Sequence, residues 1–427
     1  MSTQRLARGV ALLVLAAASV PSAHADYWIP FKQEYTGNSG DHEGAAVAAS
    51  GGYVYVGVPN ATVNGYVQAG LVLVFKSSPN GVKLFDSLMS LNGLQNGAHF
   101  GASVAARDGN IVVGGPDYAD TSNSFANAGE IDFFFNDGAT LFGRNSRTGV
   151  ANQHLGSAVA ITAHFAAASG KVASTDSGCV FTWQLGSGNV WVPFPLGHNV
   201  ACGSNGEQLG EAVALYEDSP TYFVMAAGAP AATNVNALAG LVHVYVPSGG
   251  ALAEVGTFGA QSSPAFLDAF GSSVGVDANY FYFGAPGRDN GSGRVGSVSI
   301  FSRAGSYLAE YFPEPPATIG GDCGAALNVD SVASGFVLGC PHSDGIVAGE
   351  GTARVYRPIQ FVGTTVWVES LLSFYDLPHG ADALGSSVAI DGNHAFAGAP
   401  YASANGGAGN GAFKEFEPDE IFKDGFD

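Results

Sequence analysis

The stretch Gly101-Ala102-Ser103-Val104, followed by Val113-Gly114-Gly115-Pro116, is one copy of a pattern that recurs along the chain. The pattern opens with a glycine, two small or polar residues and then Val or Leu. It begins at seven glycines: Gly44, Gly101, Gly156, Gly210, Gly271, Gly324 and Gly385. A β-rich run ending in Gly-x-Pro follows in every copy except the third, where Ser169-Gly170-Lys171 stands. Spacings of 53 to 61 residues between the seven glycines indicate repeated supersecondary units.

A third phrase in most units is a glycine followed by alternating apolar residues, as in Gly70-Leu71-Val72-Leu73-Val74-Phe75. Alternation with a period of two is typical of β-strands, and no stretch shows a convincing helical period. Candidates for a fourth strand lie at 83–88, 190–194, 252–258, 307–312 and 366–371. Seven units of four antiparallel strands predict an all-β fold, a single seven-bladed β-propeller. A linear β-solenoid is the alternative, but it would leave open ends that need caps.

The two ends of the chain also fit a closed ring. The last unit stops after its third strand, at 411–416, and therefore lacks one strand. Near the N-terminus, Tyr27-Trp28-Ile29-Pro30-Phe31 closely resembles Val190-Trp191-Val192-Pro193-Phe194, the fourth strand of the third unit. We therefore expect the N-terminal segment to complete the seventh blade, which would leave no half-blade with an exposed edge.

The first 25 residues are predicted to be a secretory signal peptide. Arg5 and Arg8 precede an apolar stretch at 9–20, and Ala23-His24-Ala25 fits the small-x-small cleavage rule. The apolar stretch is too short to span a bilayer, and no longer one follows, so we expect no membrane span. The expected location is secreted, extracellular or periplasmic, in a Gram-negative bacterium. The expected domains are the signal peptide (1–25), the propeller (26–416) and an acidic, aromatic C-terminal tail (417–427).

Four cysteines fit an oxidising compartment: Cys179, Cys202, Cys323 and Cys340. They allow three pairings, and the absence of a Cys-x-x-Cys spacing argues against zinc. Proximity in the sequence favours Cys179–Cys202 and Cys323–Cys340. The repeat supports the second pair, because the hairpin register that opposes Gly324 to Gly339 also opposes Cys323 to Cys340.

Three copies of the pattern carry a family resemblance. They are Phe100-Gly101-Ala102-Ser103-Val104 with Gly114-Gly115-Pro116, Phe270-Gly271-Ser272-Ser273-Val274 with Gly284-Ala285-Pro286, and Leu384-Gly385 with Gly398-Ala399-Pro400, and they resemble the FG-GAP repeat. This is the repeat of the integrin alpha-subunit propeller and of many secreted bacterial proteins, and the resemblance covers about residues 27–416. It implies a seven-bladed propeller and extracellular binding, in the manner of adhesion proteins, but it does not imply a ligand.

Calcium loops of the type Asp-x-Asp-x-Asp-Gly are common in that family between the first two strands of a unit. Here the corresponding connections, such as Arg107-Asp108-Gly109-Asn110 and Asp391-Gly392-Asn393, hold at most one carboxylate each. Calcium needs several oxygen ligands, so we expect tight turns there and no cofactor. The loop Asp117-Tyr118-Ala119-Asp120 is richer in carboxylates, and we interpret it as a solvated loop.

Two further motifs match a catalytic and a nucleotide-binding signature in residue types alone. Gly271-Ser272-Ser273-Val274-Gly275 fits the G-x-S-x-G elbow, and 291–296 fits G-x-G-x-x-G. Both signatures need a strand followed by a helix, whereas both stretches here lie in strand-forming repeats. We therefore assign no catalytic residue and no cofactor-binding residue.

Three histidines share one position, two residues before the glycine of units one to three: His42, His99 and His154. The same position holds Gln208, Ala269, Asp322 and Ala383 in the other units. Neighbouring blades could bring three imidazoles together as a zinc or copper site, but independent histidines at loop ends are the favoured interpretation.

The net charge of −20 disfavours nucleic acid as a partner. Long loops at 60–69, 117–128, 231–239 and 401–410 would sit on a rigid rim, where binding sites are often built. We therefore predict a monomeric, non-catalytic binding protein for an extracellular protein or carbohydrate. The alternative is a hydrolase or lyase acting on carbohydrate in the central channel, with His42, His99, His154 and Asp322 as candidates. A structural role in the envelope is a third possibility.

Overall fold

A computed structural model describes residues 28–31, 38–77, 82–172, 175–196, 199–204, 206–233, 238–261, 264–313, 319–330, 335–344, 348–361, 364–372, 382–403 and 409–418. The predicted signal peptide and most of the C-terminal tail lie outside these ranges. Within them the secondary structure is entirely β, so no helix is long and apolar enough to cross a membrane.

Seven antiparallel sheets, or blades, form one ring, which confirms the predicted seven-bladed propeller. The first strand of the chain belongs to blade seven, and blade one begins at residue 46. We number that strand β1 (Trp28–Phe31); blade one then holds β2 (Ala46–Ser50), β3 (Tyr53–Val58), β4 (Leu71–Lys76) and β5 (Lys83–Leu88), and blade two holds β6 (Ser103–Arg107), β7 (Asn110–Gly115), β8 (Glu130–Asn136) and β9 (Leu141–Thr148).

Blade three has β10 (Val159–Ile161), β11 (Phe165–Val172), β12 (Thr175–Leu185), β13 (Trp191–Pro193) and β14 (Val200–Cys202). Blade four has β15 (Val213–Ser219), β16 (Tyr222–Ala229), β17 (Leu241–Ser248) and β18 (Ala251–Phe258). Blade five has β19 (Ser273–Val276), β20 (Tyr280–Ala285), β21 (Ser297–Ser302) and β22 (Tyr307–Tyr311). Blade six has β23 (Ala326–Val329), β24 (Phe336–Cys340), β25 (Thr352–Phe361) and β26 (Thr364–Leu372), and blade seven has β27 (Ser387–Asp391), β28 (His394–Ala399) and β29 (Ala412–Pro418).

The N-terminal strand closes the ring, as the sequence predicted. β1 pairs antiparallel with β29, with Trp28 opposite Pro418 and Phe31 opposite Glu415. A second contact at the same seam is a parallel bridge between Glu43 and Gly411. The first and last parts of the chain therefore share one sheet, and blade seven is complete.

Glycine explains how neighbouring blades approach each other. A Cβ on Gly228, in the Gly-x-Pro phrase of blade four, would lie 1.8 Å from the carbonyl oxygen of Gly271, which opens blade five. At the seam a Cβ on Gly398 would lie 2.1 Å from the carbonyl oxygen of Gly44. Such separations are far below van der Waals contact, so both phrases of the repeat are needed for the inner parts of adjacent blades to pack.

The glycine that opens each unit also completes a turn. Gly44 has φ of +83°, and the amide of Ala45 donates to the carbonyl oxygen of His42 at 3.2 Å. A positive φ at the third residue is what a type II turn requires, and glycine adopts it without strain. The residue two before the glycine has a positive φ in all seven units: His42, His99, His154, Gln208, Ala269, Asp322 and Ala383.

Both disulfides favoured by the sequence are present. Cys179 lies directly opposite Cys202 in the pairing of β12 with β14, with Cα atoms 4.1 Å apart. Cys323 and Cys340 have Cα atoms 3.9 Å apart, and the amide of Gly324 donates to the carbonyl oxygen of Gly339 at 3.0 Å. The predicted disulfide is therefore present, but the register inferred from the repeat is wrong by two residues. Ala326, not Gly324, lies opposite Gly339, because the hairpin turn is centred one residue further along the chain than the register assumed.

Two outer strands were not anticipated. β9, in blade two, reads Leu-Phe-Gly-Arg-Asn-Ser-Arg-Thr, and its polar residues hide the alternation that marks a strand. In blade three the outer position is divided between β13, which the sequence predicted at 190–194, and β14, which it did not; both pair with β12.

Candidate binding face

One end of the ring carries the turns that open the inner strands and the connections between second and third strands. We call this end the loop face, and the opposite end, which carries the hairpins within each blade, the hairpin face. Backbone hydrogen bonds join neighbouring blades across the loop face. The amide of His99 donates to the carbonyl oxygen of Gln68 at 3.1 Å, and that of His154 donates to Asn127 at 3.0 Å. The loops are therefore held by one another as well as by their own strands.

Short internal hairpins fix three of these loops. Val63 and Tyr66 exchange two backbone hydrogen bonds of 3.0 and 2.9 Å, and Asp120 and Phe125 exchange two of 2.9 Å. Asp289 and Arg294 form a similar antiparallel bridge in blade five. Loops with their own hydrogen bonds lose little conformational entropy when a partner binds.

The carboxylates of the 117–120 loop form hydrogen bonds with other side chains of the protein. Asp120 accepts hydrogen bonds from the Ser122 hydroxyl at 2.5 Å and from Asn123 Nδ2 at 2.7 Å. These donors hold the pKa of Asp120 below its usual value. Asp120 therefore shapes the loop.

Asp117 connects two of the three histidines that share a position in the repeat. Its Oδ2 lies 2.7 Å from His99 Nδ1, and its Oδ1 lies 3.0 Å from Nδ1 of His154 in the next blade. His42 is placed differently: its Nδ1 lies 2.9 Å from Asn60 Nδ2, and its ring meets Tyr401 edge-on. The structure thus brings together two of the three imidazoles, on a carboxylate that the sequence analysis had placed in a solvated loop.

Asp322, the acidic residue at the same repeat position, pairs within its own blade. Its Oδ2 lies 2.7 Å from Nδ1 of His342, the residue that follows Gly-x-Pro in blade six. Asn60 and Asp117 also follow Gly-x-Pro directly, so the repeat places a partner for this position in three blades. That correlation between two phrases is visible in the sequence and could have predicted these contacts.

The central channel has a volume of about 810 Å³ and is lined by the inner strand of every blade. At the loop-face end the residue after each opening glycine lines the channel, and it is small in six blades: Ala45, Ala102, Ser157, Ser272, Ala325 and Ser386. The seventh is Glu211, in blade four. His42, His99, His154 and Asp322 are not among the residues that line it. The four candidates for channel chemistry are therefore not gathered in the channel.

A histidine–carboxylate pair that the sequence did not reveal lies near the hairpin-face end of the channel. His164 Nδ1 is 2.6 Å from Glu217 Oε1, and Thr162 Oγ1 donates to Glu217 Oε2 at 2.7 Å. Thr162 and Glu217 line the channel. The two partners belong to different blades, so their distance in the sequence gave no signal.

The two motifs that matched catalytic signatures have structural roles. Ser273 begins β19, and its hydroxyl donates to the carbonyl oxygen of Gly324 in the next blade at 2.7 Å. Ser387 makes the same bond to Gly44 across the seam. The glycine-rich segment 291–296 leads into β21, a strand rather than a helix.

The loop face displays apolar side chains to solvent. Phe266, Leu267 and Ile319 are exposed by 53%, 40% and 67% respectively. The connecting loop of blade five joins them: Arg294 Nη2 donates to the carbonyl oxygen of Phe266 at 2.5 Å, and Ile319 packs over Gly293. We call Phe266, Leu267 and Ile319 the blade-five patch. Tyr66 and Tyr401 are exposed elsewhere on the same face.

Fold and site together define a seven-bladed β-propeller whose described loops are hydrogen-bonded to one another on one face. No protein-family model matches the chain, and no curated protein matches it in sequence. Among solved structures it is similar to Sqt1 of Saccharomyces cerevisiae, with a TM-score of 0.45 and 10% sequence identity over 88% of this chain and 84% of that one. In the described part of the chain, no three His, Cys, Asp or Glu side chains are grouped so as to hold a metal ion.

Proposed function

We propose that this protein is an exported, non-catalytic binding protein that recognises an extracellular protein or carbohydrate through its loop face. The observation that carries this proposal is the blade-five patch, three exposed apolar side chains held around a hydrogen-bonded loop. Isolated exposed apolar residues are ordinary, but a cluster of them on ordered loops is typical of an interaction site.

Features of the sequence support export. The N-terminal segment has the three parts of a signal peptide, and two disulfides favour an oxidising compartment. The resemblance of the repeat to FG-GAP proteins supports membership of that group and an adhesion-like role. The net charge of −20 favours a partner whose contact surface is positively charged.

The direct test begins with a screen of the oxidised chain from residue 26 onward against arrays of glycans and purified extracellular proteins. For any partner found, Phe266→Ser and Ile319→Ser should each weaken binding by about tenfold or more, because each removes an exposed apolar anchor. Val255→Ser is the matched control, since Val255 is 60% exposed on the outer strand β18, away from the loop face. We expect it to leave affinity unchanged.

Two results would contradict the proposal. A partner whose affinity is insensitive to both loop-face substitutions would place the binding site elsewhere. Cleavage of a bound glycan by the purified protein would show that it is an enzyme.

A further inference from the structure

Two carboxylates lie side by side in the interior of blade two. Glu130 and Asp132 occupy alternate positions on β8, so their side chains share one face of the strand. Both residues are completely buried, with 0% exposure. The segment Ser90–Asn92, which leads from blade one to blade two, covers them.

Each carboxylate has one oxygen bound by this segment. Asn92 Nδ2 donates to Glu130 Oε2 at 2.8 Å, and the amide of Leu91 donates to Asp132 Oδ2 at 2.5 Å. The other oxygens, Glu130 Oε1 and Asp132 Oδ1, are buried and have no hydrogen-bond donor among the described residues. Buried polar atoms without a partner are rare in native proteins, so two on neighbouring carboxylates indicate a functional position.

The groups that surround the pair do not neutralise it. The neighbouring loop contributes Tyr118 and Asp120. Burial is the main cause that raises the pKa of Tyr118, and the negative charges of the pair raise it further. The guanidinium of Arg147, on β9, donates to the carbonyl oxygens of Ser146 and Trp191. Within the described ranges no lysine or arginine forms a salt bridge with Glu130 or Asp132.

Burial of this kind strongly disfavours two negative charges. Adjacent buried carboxylates are normally found with a shared proton or with a bound cation.

We propose that Glu130 and Asp132 bind a divalent cation of the calcium class beneath the Ser90–Asn92 segment. All the available donors are oxygens, which favours a hard cation over zinc or copper. Both carboxylates are fully buried, which suits calcium better than magnesium, since magnesium keeps several waters in a strict octahedron.

Asn92 and Ser90 can complete the set of ligands. The Asn92 Oδ1 now accepts from the Ser146 hydroxyl at 2.8 Å. Turning the amide by 180° would present Oδ1 to the cation and keep a hydrogen bond with Ser146 through Nδ2. The bond from Nδ2 to Glu130 would be lost, and the cation would take its place between Asn92 Oδ1 and the Glu130 carboxylate. The Ser90 hydroxyl already interacts with Glu130 and supplies a further oxygen. The proposed site lies at the start of β8, the third strand of blade two. It is therefore distinct from the hairpins between first and second strands.

The test uses the full oxidised chain after treatment with EDTA. Addition of about 1 mM calcium should raise the Tm by about 3 °C or more. Terbium bound at the site should luminesce when Tyr118 is excited. Tyr118 is near the pair, since the charges of Glu130 and Asp132 help to raise its pKa. The double variant Glu130→Gln/Asp132→Asn should lose both responses. Its own Tm without cation should equal or exceed that of the parent, because the substitutions remove the buried charges and keep the shape.

Asp137→Asn is the matched control, since Asp137 lies in the exposed β8–β9 hairpin and binds only backbone amides of that turn. It should keep both responses. The proposal is overturned if calcium leaves the Tm unchanged, which would indicate a shared proton instead. It is equally overturned if the double variant is still stabilised by calcium.

Discussion

Replacing Arg288 with leucine is expected to lower the free energy of unfolding by about 3–5 kcal/mol. Arg288 lies between two acidic side chains in blade five. Its Nη1 is 3.0 Å from Asp268 Oδ2, and its Nε is 2.7 Å from Glu310 Oε1. The three side chains are only 6%, 1% and 7% exposed, so loss of the guanidinium would leave two buried carboxylates without a counter-charge.

The measurement is equilibrium denaturation of the oxidised protein. Arg107→Leu is the control, because Arg107 is 40% exposed and its partner Asp108 is 64% exposed, and a surface pair of this kind contributes about 1 kcal/mol or less. Adding Asp268→Asn and Glu310→Gln to Arg288→Leu should recover much of the loss. Equal effects of Arg288→Leu and Arg107→Leu would show that the buried network does not hold blade five together.

Gly228→Ala is expected to cost about 3 kcal/mol or more, since the added methyl group would meet the backbone of the next blade. A Cβ at position 228 would lie 1.8 Å from the carbonyl oxygen of Gly271, so two blades would have to separate. No side-chain rotation can relieve a collision with a backbone oxygen.

Gly186→Ala is the matched control, because a Cβ there would come no closer than 3.3 Å to another atom, the carbonyl oxygen of Val190. We expect its effect to stay within about 1 kcal/mol, with the lower entropy of the unfolded chain partly offsetting any crowding. Thermal or chemical denaturation of both variants gives the comparison. If Gly228→Ala were as mild as the control, tight packing of glycine between blades would not explain the repeat.

The fold was predictable because the repeat pattern occurs seven times in the sequence. The opening glycine, Gly-x-Pro and the alternating third strand fix the number of blades, and the likeness of 27–31 to 190–194 located the strand that closes the ring. The reason for the glycines was not predictable. It lies in contacts such as Gly228 with Gly271, which join different units and appear only when the blades are assembled.

The site was much less predictable, for the same physical reason. Asp117 of blade two contacts both His99 and His154, and His154 belongs to blade three. His164 of blade three contacts Glu217 of blade four. Glu130 and Asp132 looked like ordinary members of an alternating strand, and only burial under the Ser90–Asn92 segment makes their charges costly. A repeat pattern shows which positions are equivalent, but not which side chains meet across the ring.

Closure of the ring by the N-terminal strand is the central claim, and a disulfide placed across the seam tests it most directly. Ile29 and Glu417 are directly opposed in the β1–β29 pairing, and cysteines at directly opposed positions of antiparallel strands can form a disulfide. Oxidised Ile29→Cys/Glu417→Cys protein, digested without reduction and analysed by mass spectrometry, should yield an intramolecular peptide linking positions 29 and 417. Ile29→Cys/Thr148→Cys, with its second cysteine on the outer strand of blade two, should yield none. An absent 29–417 link, or equal linking in both variants, would contradict a ring closed by this strand.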